Sequence, residues 1–163
     1  MGMATDGDSA PVDAASLWNQ LWALECAYWA DVDFNNGQTA PGFYTDDAVF
    51  DIGIPGARLQ GRSAIRAFYG RRREIPRTTL HMVNNFALVQ WSATSARCRL
   101  IVSLYGRDGA PPQESSSPIL VTSGENSYVA DGGGWKISGR LNTPWFVDEK
   151  HLPVERLTGP VSS

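Results

Sequence analysis

The sequence is poor in cysteine and has no excess of positive charge. Its two cysteines, Cys26 and Cys98, are too few for a disulfide framework and lie within apolar periodic segments, the wrong setting for a metal cluster. A net charge of −3 provides no positive field to attract nucleic acid or an anionic membrane. No apolar run approaches the roughly 20 residues that span a bilayer. We therefore expect no nucleic-acid partner and no membrane partner.

Motifs for metal, phosphate or covalent chemistry are also missing. The chain has two histidines, His81 and His151, and neither has the neighbouring ligands that a zinc site requires. It has no glycine-rich phosphate loop after a strand, no nucleophile elbow and no Cys-His pair in a helix or strand context. We expect no metal, no cofactor and no covalent catalysis.

The composition is typical of one domain with a substantial core. The 163 residues are 42% hydrophobic. Residues 1–12 are rich in small and acidic side chains and lack the basic start and apolar stretch of a secretory signal, so we expect a disordered leader. The domain is placed at residues 13–148, and residues 149–163 are interpreted as a polar C-terminal tail with His151 exposed. The lack of a secretory signal and the low cysteine content together predict a cytoplasmic protein.

Helical periodicity dominates the first half of the chain. After Asp13, a predicted N-cap, apolar residues recur at steps of three and four and indicate a long amphipathic helix. A short second helix is predicted within residues 40–47, and Ser63 is predicted to cap a third helix. The stripe of the first helix consists of Leu17, Leu21, Leu24, Tyr28 and Val32, widened by Trp18, Trp22 and Trp29.

The second half of the chain lacks this periodicity and is predicted to form strands. Two short strands, at residues 48–52 and 57–60, precede the third helix. Four long strands follow it, at residues 78–91, 95–105, 117–129 and 134–147, and a meander is their simplest pairing. Helices followed by antiparallel strands predict an α+β domain, in which three helices pack on one face of a strongly curved, mainly antiparallel sheet.

Asp33 and His81 are the candidate catalytic residues. On a helical wheel, Asp33 falls on the flank of the buried stripe, where a carboxylate needs a cation, a hydrogen-bond donor or an imidazole as its partner. Period-two alternation aligns His81 with Thr79, Val83 and Asn85 on one face of its strand. Each residue has a plain alternative: Asp33 at a frayed helix end that faces water, and His81 as a satisfied core residue.

Other charged residues receive structural interpretations. Glu25 lies near the centre of the same helical stripe, and it is a second candidate carboxylate or a residue at a subunit interface. Asp31 falls on the far edge of the stripe, where we expect it to be solvated. The triplet Arg71-Arg72-Arg73 follows a helix and opposes the negative end of the helix dipole, so we interpret it as structural rather than as an anion site.

Five short segments follow one another along the chain: residues 28–33 (YWADVD), 44–50 (YTDDAVF), 61–65 (GRSAI), 79–85 (TLHMVNN) and 134–137 (GWKI). Their order and spacing resemble the SnoaL-like group of the nuclear-transport-factor-two-like superfamily. This group includes scytalone dehydratase and hexachlorocyclohexane dehydrochlorinase. The resemblance covers about residues 17–146 and implies a cone-shaped α+β barrel that encloses one apolar pocket.

The resemblance also implies a mechanism. In the lyases of this family, an aspartate at the end of the first helix orients a strand histidine, which removes a proton from the substrate; Asp33 and His81 occupy these positions. A buried carboxylate is expected to fix the tautomer of the imidazole and to raise its basicity. The second histidine of scytalone dehydratase has no counterpart, because residues 123–126 are Ser-Gly-Glu-Asn. The predicted substrate-binding residues are Tyr28, Trp29, Tyr44, Asn85 and Arg140.

Two functions from different classes remain open. The leading one is a cofactor-independent lyase, isomerase or cyclase that acts on a small apolar cyclic substrate, as in the processing of aromatic, terpenoid or polyketide compounds. The alternative is a non-catalytic ligand-binding module or the structural small subunit of a ring-hydroxylating dioxygenase. Because Leu80 and Met82 oppose His81 on the predicted strand, the outer face of the sheet is apolar, and we expect a homodimer or a homotrimer.

Overall fold

The computed structural model describes residues 13–158, so the predicted leader lies outside the described residues. Three helices, one 3₁₀ turn and six strands make up an α+β fold, which confirms the predicted fold class. In chain order, the elements are α1 (Ala14–Phe34), a 3₁₀ helix (Ala40–Phe43), β1 (Tyr44–Asp51), β2 (Arg58–Gln60), α2 (Gly61–Glu74), β3 (Arg77–Trp91), β4 (Ser95–Asp108), β5 (Leu120–Ala130), β6 (Trp135–Val147) and α3 (Val154–Thr158).

The first helix begins and ends at specific side-chain contacts. The Asp13 carboxylate accepts hydrogen bonds from two backbone N–H groups of the first turn, which confirms the predicted N-cap. At the other end, Asp31 is buried rather than solvated, because its carboxylate accepts hydrogen bonds from Asn35 and Thr39. Gly37 follows with φ of 66°, and a Cβ there would lie 2.2 Å from the Tyr69 ring. Only glycine allows this close approach between the end of α1 and α2.

Six strands form one mixed, open sheet in the order β2, β1, β6, β5, β4, β3. The four long strands pair antiparallel as a meander, as predicted. The short strand β2 pairs antiparallel with β1, and β1 is the parallel neighbour of β6. Contacts of α1 with β3 and of α2 with β1 bury the main apolar core between these helices and the sheet.

Two predicted boundaries differ from the structure. The second helix is only a 3₁₀ turn, because the chain pairs with β6 from Tyr44 onward and the acidic residues Asp46 and Asp47 form an exposed start of β1. The third helix begins at Gly61, so Ser63 lies inside the first turn instead of capping it. Among residues 13–158, no helix has the length and apolar character needed to cross a membrane.

A bulge in β3 changes which residues face inward. The register with β4 shifts between Asn84 and Ala87, and Asn85 has a φ of 52°. Up to Val83, inward and outward residues alternate as predicted, but beyond the bulge Phe86 takes the inward position and Asn85 is exposed. The prediction that Asn85 shares the face of the candidate site is therefore wrong. Asparagine tolerates the left-handed backbone region better than most residues, which permits the bulge here.

The C-terminal segment packs against the domain. Helix α3 contacts α2, and the Arg71 guanidinium donates to the Leu157 carbonyl at 2.6 Å. The Arg77 guanidinium donates to the His151 carbonyl at 2.5 Å. His151 is half-buried rather than exposed, and its Nδ1 lies 2.7 Å from Asp148 Oδ2. The region interpreted as a polar tail thus adds residues to the folded unit up to residue 158.

Candidate active site

A mostly apolar cavity of about 110 Å³ lies between α1, α2, the sheet and the C-terminal segment. Its volume is of the same order as that of an engineered cavity of about 150 Å³ that binds benzene. The C-terminal segment contributes Leu152, Pro153 and Leu157 to the wall. The polar part of the wall includes Arg72, His81 and Asn142. The cavity can therefore hold a compound of about one ring beside a small set of polar side chains.

The end of α1 and the start of β3 bring Asp33 and His81 together at this wall. The His81 Nδ1 atom lies 2.7 Å from Asp33 Oδ1. The His81 backbone N–H donates to Asp33 Oδ2 at 2.7 Å, and the Thr79 hydroxyl donates to Oδ1 at 2.9 Å. The side chains of Asp33 and His81 are only 3% and 12% exposed. Asp33 is therefore not at a frayed end facing water, and both of its oxygens are held by β3.

The surroundings set the protonation states of this pair. Burial alone would raise the pKa of Asp33, but hydrogen bonds and charge from His81, with the Thr79 hydroxyl, outweigh it and lower the pKa. Burial lowers the pKa of His81, and the positive charges of Arg72 and Arg140 add to this, against the opposing effect of Asp33. Contrary to the expectation of raised basicity, the net shift of the His81 pKa is downward.

An ionised Asp33 and a neutral His81 fix the tautomer. A carboxylate has no proton to donate, so Nδ1 of His81 carries the hydrogen in the short contact between them. The Nε2 atom then keeps its lone pair, and it accepts no hydrogen bond from any described residue. The arrangement can chemically remove a proton from a bound molecule.

Trp29 connects His81 to the protein interior. Its ring stacks on the imidazole with a centroid separation of 4.2 Å and an interplanar angle of 26°. Its Nε1 donates to Glu25 Oε2 at 3.0 Å. Of the five predicted substrate-binding residues, Trp29 is the one that the structure places on the cavity wall. Its position restricts rotation of the His81 ring.

Arg72 lines the cavity, although its place in the triplet Arg71-Arg72-Arg73 predicted only a structural role. Its Nη2 donates to the Val32 carbonyl at 2.9 Å and to the Thr79 hydroxyl at 2.6 Å. The residue is 6% exposed, whereas the next residue, Arg73, is exposed. A signal was available, because Arg72 continues the apolar spacing of Ile65, Phe68 and Tyr69 along α2.

Arg140 and Glu25 form a buried ion pair behind the cavity wall. Two guanidinium nitrogens of Arg140 donate to the two Glu25 oxygens at 2.9 and 3.1 Å. Tyr128 and Asn126 also donate to Glu25, at 2.7 and 3.1 Å. The side chains of Arg140 and Glu25 are 1% and 0% exposed. Arg140 is therefore a core residue instead of the predicted substrate contact.

Tyr28 and Tyr44 also lie in the core. The Tyr44 hydroxyl donates to the Tyr28 hydroxyl at 2.8 Å, and Tyr28 is hydrogen-bonded to Tyr69. Burial raises the pKa of both Tyr28 and Tyr44 well above the usual value, which keeps these phenols neutral. Neither residue lines the cavity, whereas Tyr69, the hydrogen-bond partner of Tyr28, does, so the prediction that Tyr28 and Tyr44 contact the substrate is not supported by their positions. Among residues 13–158, no group of three or more His, Cys, Asp or Glu side chains is arranged to hold a metal ion.

A protein-family comparison identifies the type of domain. The model of the SnoaL-like domain matches residues 19–140, more than half of the chain. No curated protein matches the sequence significantly.

Solved structures share the fold at low sequence identity. A candidate scytalone dehydratase from Novosphingobium aromaticivorans is 19% identical, with a TM-score of 0.73 over 91% of this chain and 95% of that chain. The β subunit of a candidate aromatic-ring-hydroxylating dioxygenase from the same organism is 10% identical, with a TM-score of 0.73 over 89% of this chain and 97% of that chain. A Nostoc punctiforme protein of unknown function with a cystatin-like fold is 14% identical, with a TM-score of 0.66 over 89% and 99%. At these identities, the likeness extends to the fold alone.

Proposed function

The chain belongs to the SnoaL-like domain family, and we propose that it is a cofactor-independent lyase, isomerase or cyclase that removes a proton from a small apolar cyclic substrate. His81 is the general base and Asp33 orients it. The observation that carries this proposal is the 2.7 Å contact between His81 Nδ1 and Asp33 Oδ1 at the wall of a mostly apolar cavity of about 110 Å³.

The proposed step moves one proton from a substrate carbon to His81 Nε2, while the electron pair of the C–H bond stays on the substrate. The imidazolium that forms is stabilised by the Asp33 carboxylate on its other side. The electron pair then expels a leaving group, forms a bond within the substrate or shifts a double bond. In an isomerisation, His81 returns the proton to another carbon. The mostly apolar lining lowers the local dielectric constant, which strengthens each of these charge interactions.

The size of the cavity limits the substrate. A volume of about 110 Å³ favours a single ring or a compound of similar bulk. The apolar side chains around the cavity, such as Val32, Phe68 and Leu104, bind such a compound by burying its hydrocarbon surface.

The test does not require the natural substrate. The protein is incubated in deuterium oxide with a panel of monocyclic ketones, cyclic alcohols and halogenated rings, and NMR follows deuterium incorporation and product formation. The expected result is turnover of at least one class. His81→Ala is expected to reduce the rate by about 10²–10⁴-fold, because a positioned general base contributes this much. Asp33→Asn is expected to reduce it less.

The control is His151→Ala, which removes the other histidine of the chain. It is expected to retain the parent rate, because the His151 side chain contacts Asp148 and does not line the cavity. Equal rates in the parent protein and His81→Ala, for every compound that reacts, would refute the role of His81.

A second candidate function is a non-catalytic subunit of a larger oxygenase. It is favoured by the likeness to the dioxygenase β subunit and by the apolar residues exposed on β3 and β6. Four of them, Leu80, Met82, Trp145 and Phe146, are between 44% and 70% exposed. A chain that purifies as a stable homodimer or homotrimer favours the enzyme. A chain that stays soluble only with a partner favours the subunit.

A further inference from the structure

Arg72 is a buried cation that no described carboxylate contacts. The residue is 6% exposed, and both of its hydrogen bonds come from Nη2 and reach neutral acceptors, the Val32 carbonyl and the Thr79 hydroxyl. Its Nε is sealed from solvent without a partner. Its Nη1 has no acceptor among the described residues and is not among the sealed atoms. A buried guanidinium with unused donors is costly, and a bound acceptor would offset that cost.

Arg77 provides the internal comparison. It also lines the cavity, but its Nη1 donates to Asp108 at 2.7 Å and its Nη2 to the His151 carbonyl at 2.5 Å. The charge of Arg77 is therefore neutralised by a carboxylate, and the residue anchors the C-terminal segment. A structural role accounts for the contacts of Arg77, whereas in Arg72 it accounts for Nη2 alone.

We propose that Arg72 binds a substrate oxygen that becomes negatively charged when His81 removes the proton. The substrate class is then a small cyclic carbonyl compound with an acidic C–H bond next to, or conjugated with, the carbonyl. This inference rests on the proposed function and specifies its substrate.

The Arg72 guanidinium and the His81 imidazole lie on the same wall of the cavity. Thr79 accepts a hydrogen bond from Arg72 and donates one to Asp33, the partner of His81. Thr79 and His81 are two residues apart on the same face of β3, which separates their Cα atoms by about 7 Å. A single ring spans such a distance, so its carbonyl oxygen can contact the guanidinium while the neighbouring C–H contacts the imidazole.

Charge balance favours a neutral carbonyl over a permanent anion. Before the reaction, the Arg72 cation is balanced by the Asp33 carboxylate across Thr79. A permanent anion would add an uncompensated negative charge to a small apolar cavity. Proton transfer from a neutral carbonyl compound instead creates an imidazolium and an enolate together, which leaves the net charge unchanged. Arg72 then stabilises charge that develops during the reaction, which is the effective form of electrostatic catalysis.

Para-nitrophenol tests this inference separately from turnover. It is a single ring with an oxygen that ionises like an enol, and its absorbance reports the phenolate form. The parent protein is expected to bind it and to shift its ionisation to lower pH, because the phenol proton can pass to His81 while Arg72 binds the phenolate, which leaves the net charge of the site unchanged. Arg72→Met is expected to weaken binding by about ten- to a hundredfold and to abolish the shift, because it removes a charge-assisted hydrogen bond.

The matched control is Arg73→Met, which removes the same charge from the neighbouring, exposed position. It is expected to keep the parent affinity and the parent shift. Equal affinity in Arg72→Met and the parent protein would overturn the inference. If Arg72→Met does not fold, Arg72→Lys decides the question. A lysine cannot hold Thr79 and a ligand with two separate nitrogens, so an about tenfold loss supports the role of Arg72 and an unchanged affinity overturns it.

The two proposals can fail independently. Binding of the phenolate through Arg72 without turnover of any compound contradicts the proposed enzyme but retains the oxygen site. Turnover that depends on His81 but is confined to compounds without a carbonyl retains the enzyme and contradicts the role of Arg72.

Discussion

Helix α1 carries three buried carboxylates, and two of them, Glu25 and Asp33, meet a basic side chain of the sheet. Glu25 pairs with Arg140 of β6, and Asp33 pairs with His81 of β3. The Glu25 oxygens accept hydrogen bonds from Trp29, Tyr128, Asn126 and two nitrogens of Arg140. The Asp33 oxygens are also satisfied, but its partner lies on a cavity wall and keeps a free ring nitrogen.

The two pairs differ in which hydrogen-bonding groups around them remain without a partner. Around Glu25 the polar side chains bond mainly to each other, with Asn126 Oδ1 the one sealed atom of this group that has no partner among the described residues, and the side chains of Glu25 and Arg140 are almost completely enclosed. Around Asp33 the network ends at His81 Nε2 on one side and at unused donors of Arg72 on the other. A closed polar network rigidifies a core, whereas one that ends at a cavity is typical of a binding or catalytic site.

Trp29 joins the two regions. It donates to Glu25 at 3.0 Å and stacks on His81 with ring centroids 4.2 Å apart. The Glu25 network thus fixes the ring that supports the imidazole. The two pairs differ in role, but the position of His81 depends on both.

The largest expected effect comes from breaking the enclosed ion pair of Glu25 and Arg140. Arg140→Met leaves the Glu25 carboxylate buried without its cation, and we expect a loss of about 3–5 kcal/mol in the free energy of unfolding. Urea unfolding measures this loss. The exposed Arg99 provides the control, because Arg99→Met is expected to change stability by no more than about 0.5 kcal/mol. Similar losses in the two variants would contradict the structural role of the pair.

A smaller effect on stability is expected at the cavity wall, in the pair of Asp33 and His81. Asp33→Asn removes a carboxylate that accepts several hydrogen bonds, and we expect a loss of about 1–3 kcal/mol at neutral pH. Because the pKa of Asp33 is lowered in the folded protein, this contribution is present above the ordinary carboxyl pKa of about 4 and is lost as the pH falls through the folded pKa. Unfolding curves of the parent protein and the variant should therefore converge in acid.

The same variant changes the titration of the imidazole. Asp33 raises the His81 pKa against burial and neighbouring cations, so Asp33→Asn is expected to lower the His81 pKa further. Arg72→Met removes a charge that lowers this pKa and is expected to raise it. NMR titration of the imidazole, with His151→Ala to assign the signals, measures both shifts. Shifts of the same sign in the two variants would contradict the electrostatic account of the site.

The positions of some of these residues could be predicted from the sequence, because they follow the helical period of about 3.6 residues or the strand period of two. The stripe of α1 indicated where Glu25 and Asp33 lie, and alternation along β3 indicated that His81 faces inward. The helical wheel could not show which of these two carboxylates would be enclosed in the core. Enclosure of Glu25 depends on its contact with Arg140 of β6, and these residues are 115 positions apart in the sequence. Arg72 was missed because a cluster of three arginines suggests a solvated helix end, although its spacing marked it as inward-facing.

The smallest expected effect lies outside both regions. A left-handed backbone at Asn85, with φ of 52°, makes Asn85→Ala cost about 1 kcal/mol of stability. Asn85→Gly is expected to stay within about 0.5 kcal/mol of the parent protein, since glycine adopts this conformation without steric cost. Because the bulge turns Asn85 away from the cavity, both variants should bind para-nitrophenol as the parent protein does. A weaker affinity in Asn85→Gly would mean that β3 continues its alternation through residue 85. The wall of the cavity beside Asp33 and His81 would then extend along the strand past the bulge.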